Sequence, residues 1–145
     1  MRRTEFMTEN RAFHQLTAGV LMEQEVVSCR PSDSGHHIAS QLTKLNFGSL
    51  PVVNDDGILV GLVSEFDLLK ALMEGKELEM VSAEEIMTPK VTVAQEDTPV
   101  DGIIRLLETG HLIRVPVVRD GKLLGIVARR DILFGYMKCT ATYWP

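Results

Sequence analysis

The sequence predicts an α/β (α+β) fold built from two repeats of β-α-β-β-α type, and two observations carry that reading. Residues 61–67, Gly-Leu-Val-Ser-Glu-Phe-Asp, return at 125–131 as Gly-Ile-Val-Ala-Arg-Arg-Asp. The copies align at an offset of 65 from Met22 with Met87 to Val53 with Val118, and of 64 from Gly61 with Gly125 onward. One extra residue in the first copy's turn accounts for the change. Within each copy, short β-branched runs alternate with stretches whose apolar residues recur at helical spacing. A copy of about 55 to 60 residues is marginal alone, so the two are expected to pack face to face as one unit.

Taken in order, residues 1–16 mix charged, polar and single aromatic residues without a period and read as an N-terminal arm. The first repeat spans 17–74, a linker 75–81, the second repeat 82–137, and a tail 138–145. Thr17 and Ser82 each suit the N-cap of a short helical turn that opens a copy. Strands are predicted at Val26-Val27 and Val91-Thr92-Val93. Helices follow, capped by Asp33 in the first copy and by Thr98, with Pro99 at the first helical position and Gly110 at the stop, in the second. Ile38, Leu42 and Leu45 face inward in one, and Val100, Ile103, Ile104 and Leu107 make a single stripe in the other.

After each helix a strand is expected to begin at proline, Pro51 or Pro116, because no ladder donor is lost at a strand's first residue. A parallel right-handed crossover then joins the first two strands of each copy. Asp120-Gly121 is a two-residue hairpin signal and Asp55-Asp56-Gly57 its longer counterpart, leading to strands at 58–63 and 123–127. Closing helices follow at 65–74 and 129–137.

Composition excludes several functions. A net charge of −5 argues against a general nucleic-acid binder, which needs a basic stripe. No apolar run reaches the roughly 18 residues of a membrane span, and Met1 to Gln15 has no secretory apolar region, so a cytoplasmic protein is expected. Cys29 and Cys139 form neither a disulfide framework nor a metal spacing and are read as reduced. His36-His37 are adjacent and share no helix face, so no metal site is expected. The sequence offers no nucleophile–base pair and no Walker-type loop, which argues against an enzyme. Met22 and Met87 read as core, and Tyr143-Trp144 as a partner anchor or a loose end.

The chemistry concentrates where each buried strand runs into its closing helix. Helix N-termini hold N–H groups without intrahelical partners and the positive end of the dipole, so they attract anions and hydroxyl-bearing ligands. Ser64-x-x-Asp67 also has the form of a capping box. Against capping alone stands the second copy, where Ala128 cannot cap yet Asp131 remains. In both copies a strand glycine, Gly61 or Gly125, marks close approach of a ligand or another backbone.

The ordered features Leu50-Pro-Val-Val53 and Val115-Pro-Val-Val118, each followed by a hairpin and then Gly-x-x-(Ser/Ala)-x-x-Asp, closely resemble a tandem pair of cystathionine-beta-synthase (CBS) domains, the Bateman module. The resemblance covers residues 17–137. It implies repeats packed through their sheets into a pseudo-two-fold module with clefts for AMP, ADP or ATP, or for S-adenosylmethionine or NAD(H). It also implies a homodimer and an unidentified regulated protein. By the same resemblance Ser64 and Asp67 form the ribose and phosphate motif of the first copy, and Asp131 matches it in the second, where Ala128 departs from it. Backbone and apolar walls beside Leu50 and Val115 would flank the adenine, and Arg114, Arg129 and Arg130 would supply phosphate contacts. The hydroxyl that Ala128 lacks predicts unequal sites, with the Ser64 and Asp67 cleft the tighter. A ligand-free interaction scaffold on the same fold is the rival reading.

Overall fold

A computed structural model describes residues 12–140; the start of the arm, 1–11, and the Tyr143-Trp144 end lie outside the described residues. The fold is mixed α+β. In chain order its elements are α1 (Ala18–Leu21), α2 (Gly35–Leu45), β1 (Ser49–Val53), β2 (Leu59–Ser64) and α3 (Glu65–Met73). A 3-10 turn (Leu78–Met80) follows, then α4 (Ala83–Ile86), β3 (Ala94–Gln95), α5 (Val100–Thr109), β4 (Arg114–Arg119), β5 (Lys122–Ala128) and α6 (Arg129–Thr140).

The described chain forms two compact units, and they cut across the sequence repeats. One contains residues 12–26, 92–119 and 124–140, the other 27–91 and 120–123. Each unit therefore draws its short lead helix from the opposite copy. In the first unit Thr17 bridges Pro99 and Glu23 bridges Ile126; in the second Ser82 bridges Ser34 and Thr88 bridges Leu62. Each of these four bridges has its counterpart in the other unit at the repeat offset. The first unit's core gathers Ala18, Ile103, Leu107, Val115, Val117, Val127 and Ile132. The second gathers Cys29, Ile38, Leu42, Leu50, Val52, Val63 and Ala83.

The strand glycines make this exchange possible. A Cβ on Gly61 would lie 2.4 Å from Sδ of Met87, and one on Gly125 would lie 2.6 Å from Sδ of Met22 and 2.8 Å from the Glu23 carbonyl oxygen. The close approach expected of Gly61 and Gly125 is thus made by the lead segment of the other copy, not by a ligand. Met22 and Met87 recur at matching positions because each lies over a glycine.

Several element ends differ from expectation, and proline explains two of them. Pro51 and Pro116 stand third in β1 and β4, not first. Cys29 pairs in parallel with Val52, its N–H donating to Pro51 O and its carbonyl accepting from Val53 N. To extend that ladder toward Val27, its carbonyl would need the N–H that Pro51 lacks. The pairing therefore starts at Cys29, not at Val26-Val27, and in the second copy β3 starts at Ala94, not at Val91. The crossover in each copy is parallel.

The caps also shift by a residue. Ser34, not Asp33, caps α2 by accepting from His37 N–H, and Pro99, not Thr98, is the N-cap of α5. Asp33 and Thr98 instead share one task at equivalent positions: their side chains accept from the N–H three residues back, of Arg30 and Gln95. Leu45 and Ile104, placed on the buried stripes by spacing, are each 37% exposed at the stripe's edge. The left-handed residue after each helix is Asn46 or His111. Asp120 and Gly121 have φ of 50° and 81°, the paired positive values of a type I′ hairpin. In the longer first turn Asn54 Oδ1 accepts from Asp56 and Ile58 N–H, and the β1–β2 register slips between Val52 and Val53.

Candidate functional site

Each closing helix starts where its strand ends, which sets a carboxylate in the first helical turn. In the first copy the capping box is complete. Ser64 Oγ accepts from Asp67 N–H at 3.2 Å, while Asp67 Oδ2 accepts from Ser64 N–H at 2.8 Å and from its hydroxyl at 3.0 Å. Glu65 N–H donates to Gly48 O at 3.0 Å. The open donors of this N-terminus are largely consumed by the chain itself.

In the second copy half the box survives. Asp131 Oδ2 accepts from Ala128 N–H at 2.7 Å, and Arg129 N–H donates to Ile113 O at 3.1 Å. The persistence of Asp131 beside Ala128, which the sequence counts against capping, is therefore itself a capping bond. The Asp131 N–H lacks the hydroxyl acceptor that Ser64 gives Asp67.

The two aspartates line cavities at equivalent places in their units, each walled by a closing helix and an exchanged lead segment. The Asp131 cavity measures about 420 Å³ and its lining is about as polar as it is apolar, with Leu21, Met22 and Phe134 in its wall and Glu23 and Lys138 as charged members. The Asp67 cavity, about 320 Å³, is lined by Lys70, Glu74, Lys76 and Glu85 beside Met87 and Thr88. Volumes of roughly 300 to 1,000 Å³ are those of small-molecule sites, which are apolar with a few placed polar groups. The second-copy cavity fits that description better.

Of the three arginines predicted to meet an anion, the structure brings one to an aspartate. Arg114 opens β4 half-buried; burial lowers its pKa and the Asp131 carboxylate opposes that shift. A guanidinium keeps its proton under such a shift, so a partly desolvated cation lies near the Asp131 carboxylate, although it is not among the residues that line the cavity. The equivalent residue of the first copy is Ser49. Arg129 lines a separate groove with Leu107 and Ile132, and Arg130 is exposed on the first turn of α6. Leu50 and Val115 are fully buried in the two cores, so neither presents its side chain to a cavity. Among the described residues no His, Cys, Asp and Glu cluster suits a metal, and no helix is long and apolar enough to cross a membrane.

Sequence reasoning missed the cavity walls. Leu21, Met22 and Glu23 come from the lead segment, which adjacency in sequence assigns to the other copy. The Met22–Gly125 and Met87–Gly61 correspondences were the available signal, since a paired large and absent side chain marks a contact.

Comparison with known proteins gives a consistent picture. The CBS domain family matches residues 18–74 and 83–138. An uncharacterized protein of Methanopyrus kandleri is 32% identical over 120 residues, covering 81% of this chain and 61% of its own length. The chain thus spans less than two thirds of that relative. A solved structure of CBSX2 in complex with AMP superposes with a TM-score of 0.74 at 30% identity, covering 85% of this chain and 97% of that one. The CBS domain pair of protein MJ0100, in complex with 5′-methylthioadenosine and S-adenosyl-L-methionine, gives 0.69 at 34% identity, covering 82% and 95%.

Proposed function

Because the chain belongs to the CBS domain family, as a tandem pair, we propose that it is a regulatory module that binds an adenine nucleotide beside Asp131, pairs with a second copy and signals ligand state to a partner protein. The observation that carries the reading is the cavity lined by Asp131, whose carboxylate lies close enough to the half-buried Arg114 for its charge to act on that guanidinium. A carboxylate accepts the two hydroxyls of a ribose, a guanidinium offers paired donors to phosphate oxygens, and Leu21, Met22 and Phe134 give a base its apolar wall. The AMP complex of CBSX2 supports the ligand class.

The geometry favours the second copy over the first for phosphate, the reverse of the order that the Ser64 hydroxyl suggests. Ser64 and Asp67 already bond each other, and no arginine stands where Arg114 does. S-adenosylmethionine is the second reading, favoured by Glu23 in the cavity wall, a carboxylate that suits a sulfonium or ammonium group.

A thermal scan with AMP, ADP, ATP and S-adenosylmethionine tests the reading. Ligand at about 100 times its dissociation constant adds roughly 2.7 kcal/mol, or about 8 to 10 °C for a chain of this size. No shift at millimolar concentration with any of the four supports the ligand-free scaffold instead.

A further inference from the structure

The walls of the two cavities carry different charges at equivalent positions. At the repeat offset Glu23 corresponds to Thr88, Phe134 to Lys70 and Lys138 to Glu74. Among the described residues, the lining of the Asp131 cavity therefore holds two carboxylates, Glu23 and Asp131, against one ammonium, Lys138, whose Nζ lies 5.5 Å from the centre of the Phe134 ring. Neither Glu23 nor Lys138 forms a salt bridge among the described residues. Glu23 is held at the cavity by its own chain. Its N–H donates to Ile126 O at 2.8 Å, its carbonyl accepts from Ile126 N–H at 3.0 Å, and its Oε1 accepts from Glu25 N–H at 3.0 Å. Thr88 makes the same pair of backbone bonds with Leu62, at 2.8 and 2.9 Å. The same backbone thus carries a carboxylate in one unit and a neutral hydroxyl in the other.

We infer that Glu23 sorts ligands by charge at the Asp131 cavity, disfavouring each phosphate beyond the first and favouring a cationic 5′ group. The inference rests on the nucleotide reading above and deepens it by naming the residue that selects among adenosine ligands. A cavity of about 420 Å³ is roughly 9 Å across, so the charges of a ligand inside it lie within one screening length of the Glu23 carboxylate, about 10 Å at 0.1 M salt. One phosphate monoester carries a charge of about −1.5 to −2 at neutral pH. Lys138 in the wall and Arg114 near Asp131 together match that charge. A second and a third phosphate find no further cation among the described lining residues, while Glu23 repels them. Specificity then comes from a repulsive element set against the wrong ligand as much as from the contacts that hold the right one.

Isothermal titration of adenosine, AMP, ATP and S-adenosylmethionine, at low salt and without magnesium, into the parent, Glu23→Gln and Glu23→Thr proteins tests it. Glutamine keeps an oxygen for the Glu25 N–H, and threonine is what the equivalent position already carries. Both variants should shift the ratio of ATP to AMP affinity toward ATP about tenfold, weaken S-adenosylmethionine about threefold and leave adenosine within about twofold of the parent. The ATP shift should shrink below about threefold at 1 M salt, where the screening length is about 3 Å. A ratio that neither variant moves, or that only threonine moves, would overturn the charge selection with nucleotide binding intact. A parent protein that binds none of the four would overturn the nucleotide reading itself, and the charge selection with it.

Discussion

Replacing Gly125 by alanine tests the exchange of lead segments between the repeats. The new Cβ would sit 2.6 Å from Met22 Sδ and 2.8 Å from the Glu23 carbonyl oxygen. The thioether can swing aside, but the carbonyl is held by reciprocal bonds, Glu23 N–H to Ile126 O at 2.8 Å and Ile126 N–H to Glu23 O at 3.0 Å. Overpacking costs about 1 to 3 kcal/mol, and the alanine recovers about 0.4 to 1 kcal/mol through the unfolded chain. The net loss is about 1 to 2 kcal/mol, or roughly 3 to 7 °C in Tm at this chain length. Adding Met22→Ala should recover only part of it, because the carbonyl contact remains. Gly48→Ala, where the nearest atom is Glu65 Oε1 at 3.5 Å, should stay within about 0.5 kcal/mol. Calorimetry that finds Gly125→Ala within 1 °C of the parent would refute the argument that glycine is there to admit the lead segment.

Other outcomes follow from the same contacts. Ser64→Ala removes the hydroxyl half of the capping box and should lower stability by about 1 kcal/mol, while Ala128→Ser should complete the second box and raise it by about 0.5 to 1 kcal/mol, both read from urea midpoints. Burial, with a smaller push from Asp33, raises the Cys29 thiol from 9.0 to about 12, so a thiol reagent at pH 8 should label Cys139 and spare Cys29. A raised folded-state pKa means that only the unfolded chain ionises above pH 9; stability from this group is full below about pH 9 and falls toward pH 12, a slope that Cys29→Ala should remove. Arg114→Met should weaken AMP about tenfold or more while leaving adenosine nearly unchanged, since a hydrogen bond to a charged group is worth about 1.5 to 3 kcal/mol.

The repeat made the element order legible, because the same strand, helix and turn signals occur twice in register. The Asp120-Gly121 hairpin and the first turns of both closing helices appear where their residues call for them. Local spacing could not show which copy each lead segment joins. That choice depends on a tertiary contact between Met22 and Gly125, more than a hundred residues apart. The strand ends failed for a related reason, since what stops the ladder at Cys29 is the absent N–H of Pro51 on another strand. At the site, the Ser64 and Asp67 types were visible, but their bonds to each other were not. Three arginines near one motif also looked alike in sequence, and only the strand start at Arg114 and the outward turn at Arg129 separate them.

The central claim is that ligand binds beside Asp131 in the cavity that the lead segment closes, with the Ser64 and Asp67 cleft secondary. Isothermal titration of AMP into the parent, Asp131→Ala and Asp67→Ala proteins measures this directly. The account predicts that Asp131→Ala abolishes the tighter binding event while Asp67→Ala retains it with the parent's affinity. Loss of the tighter event in Asp67→Ala, with Asp131→Ala unaffected, would contradict it.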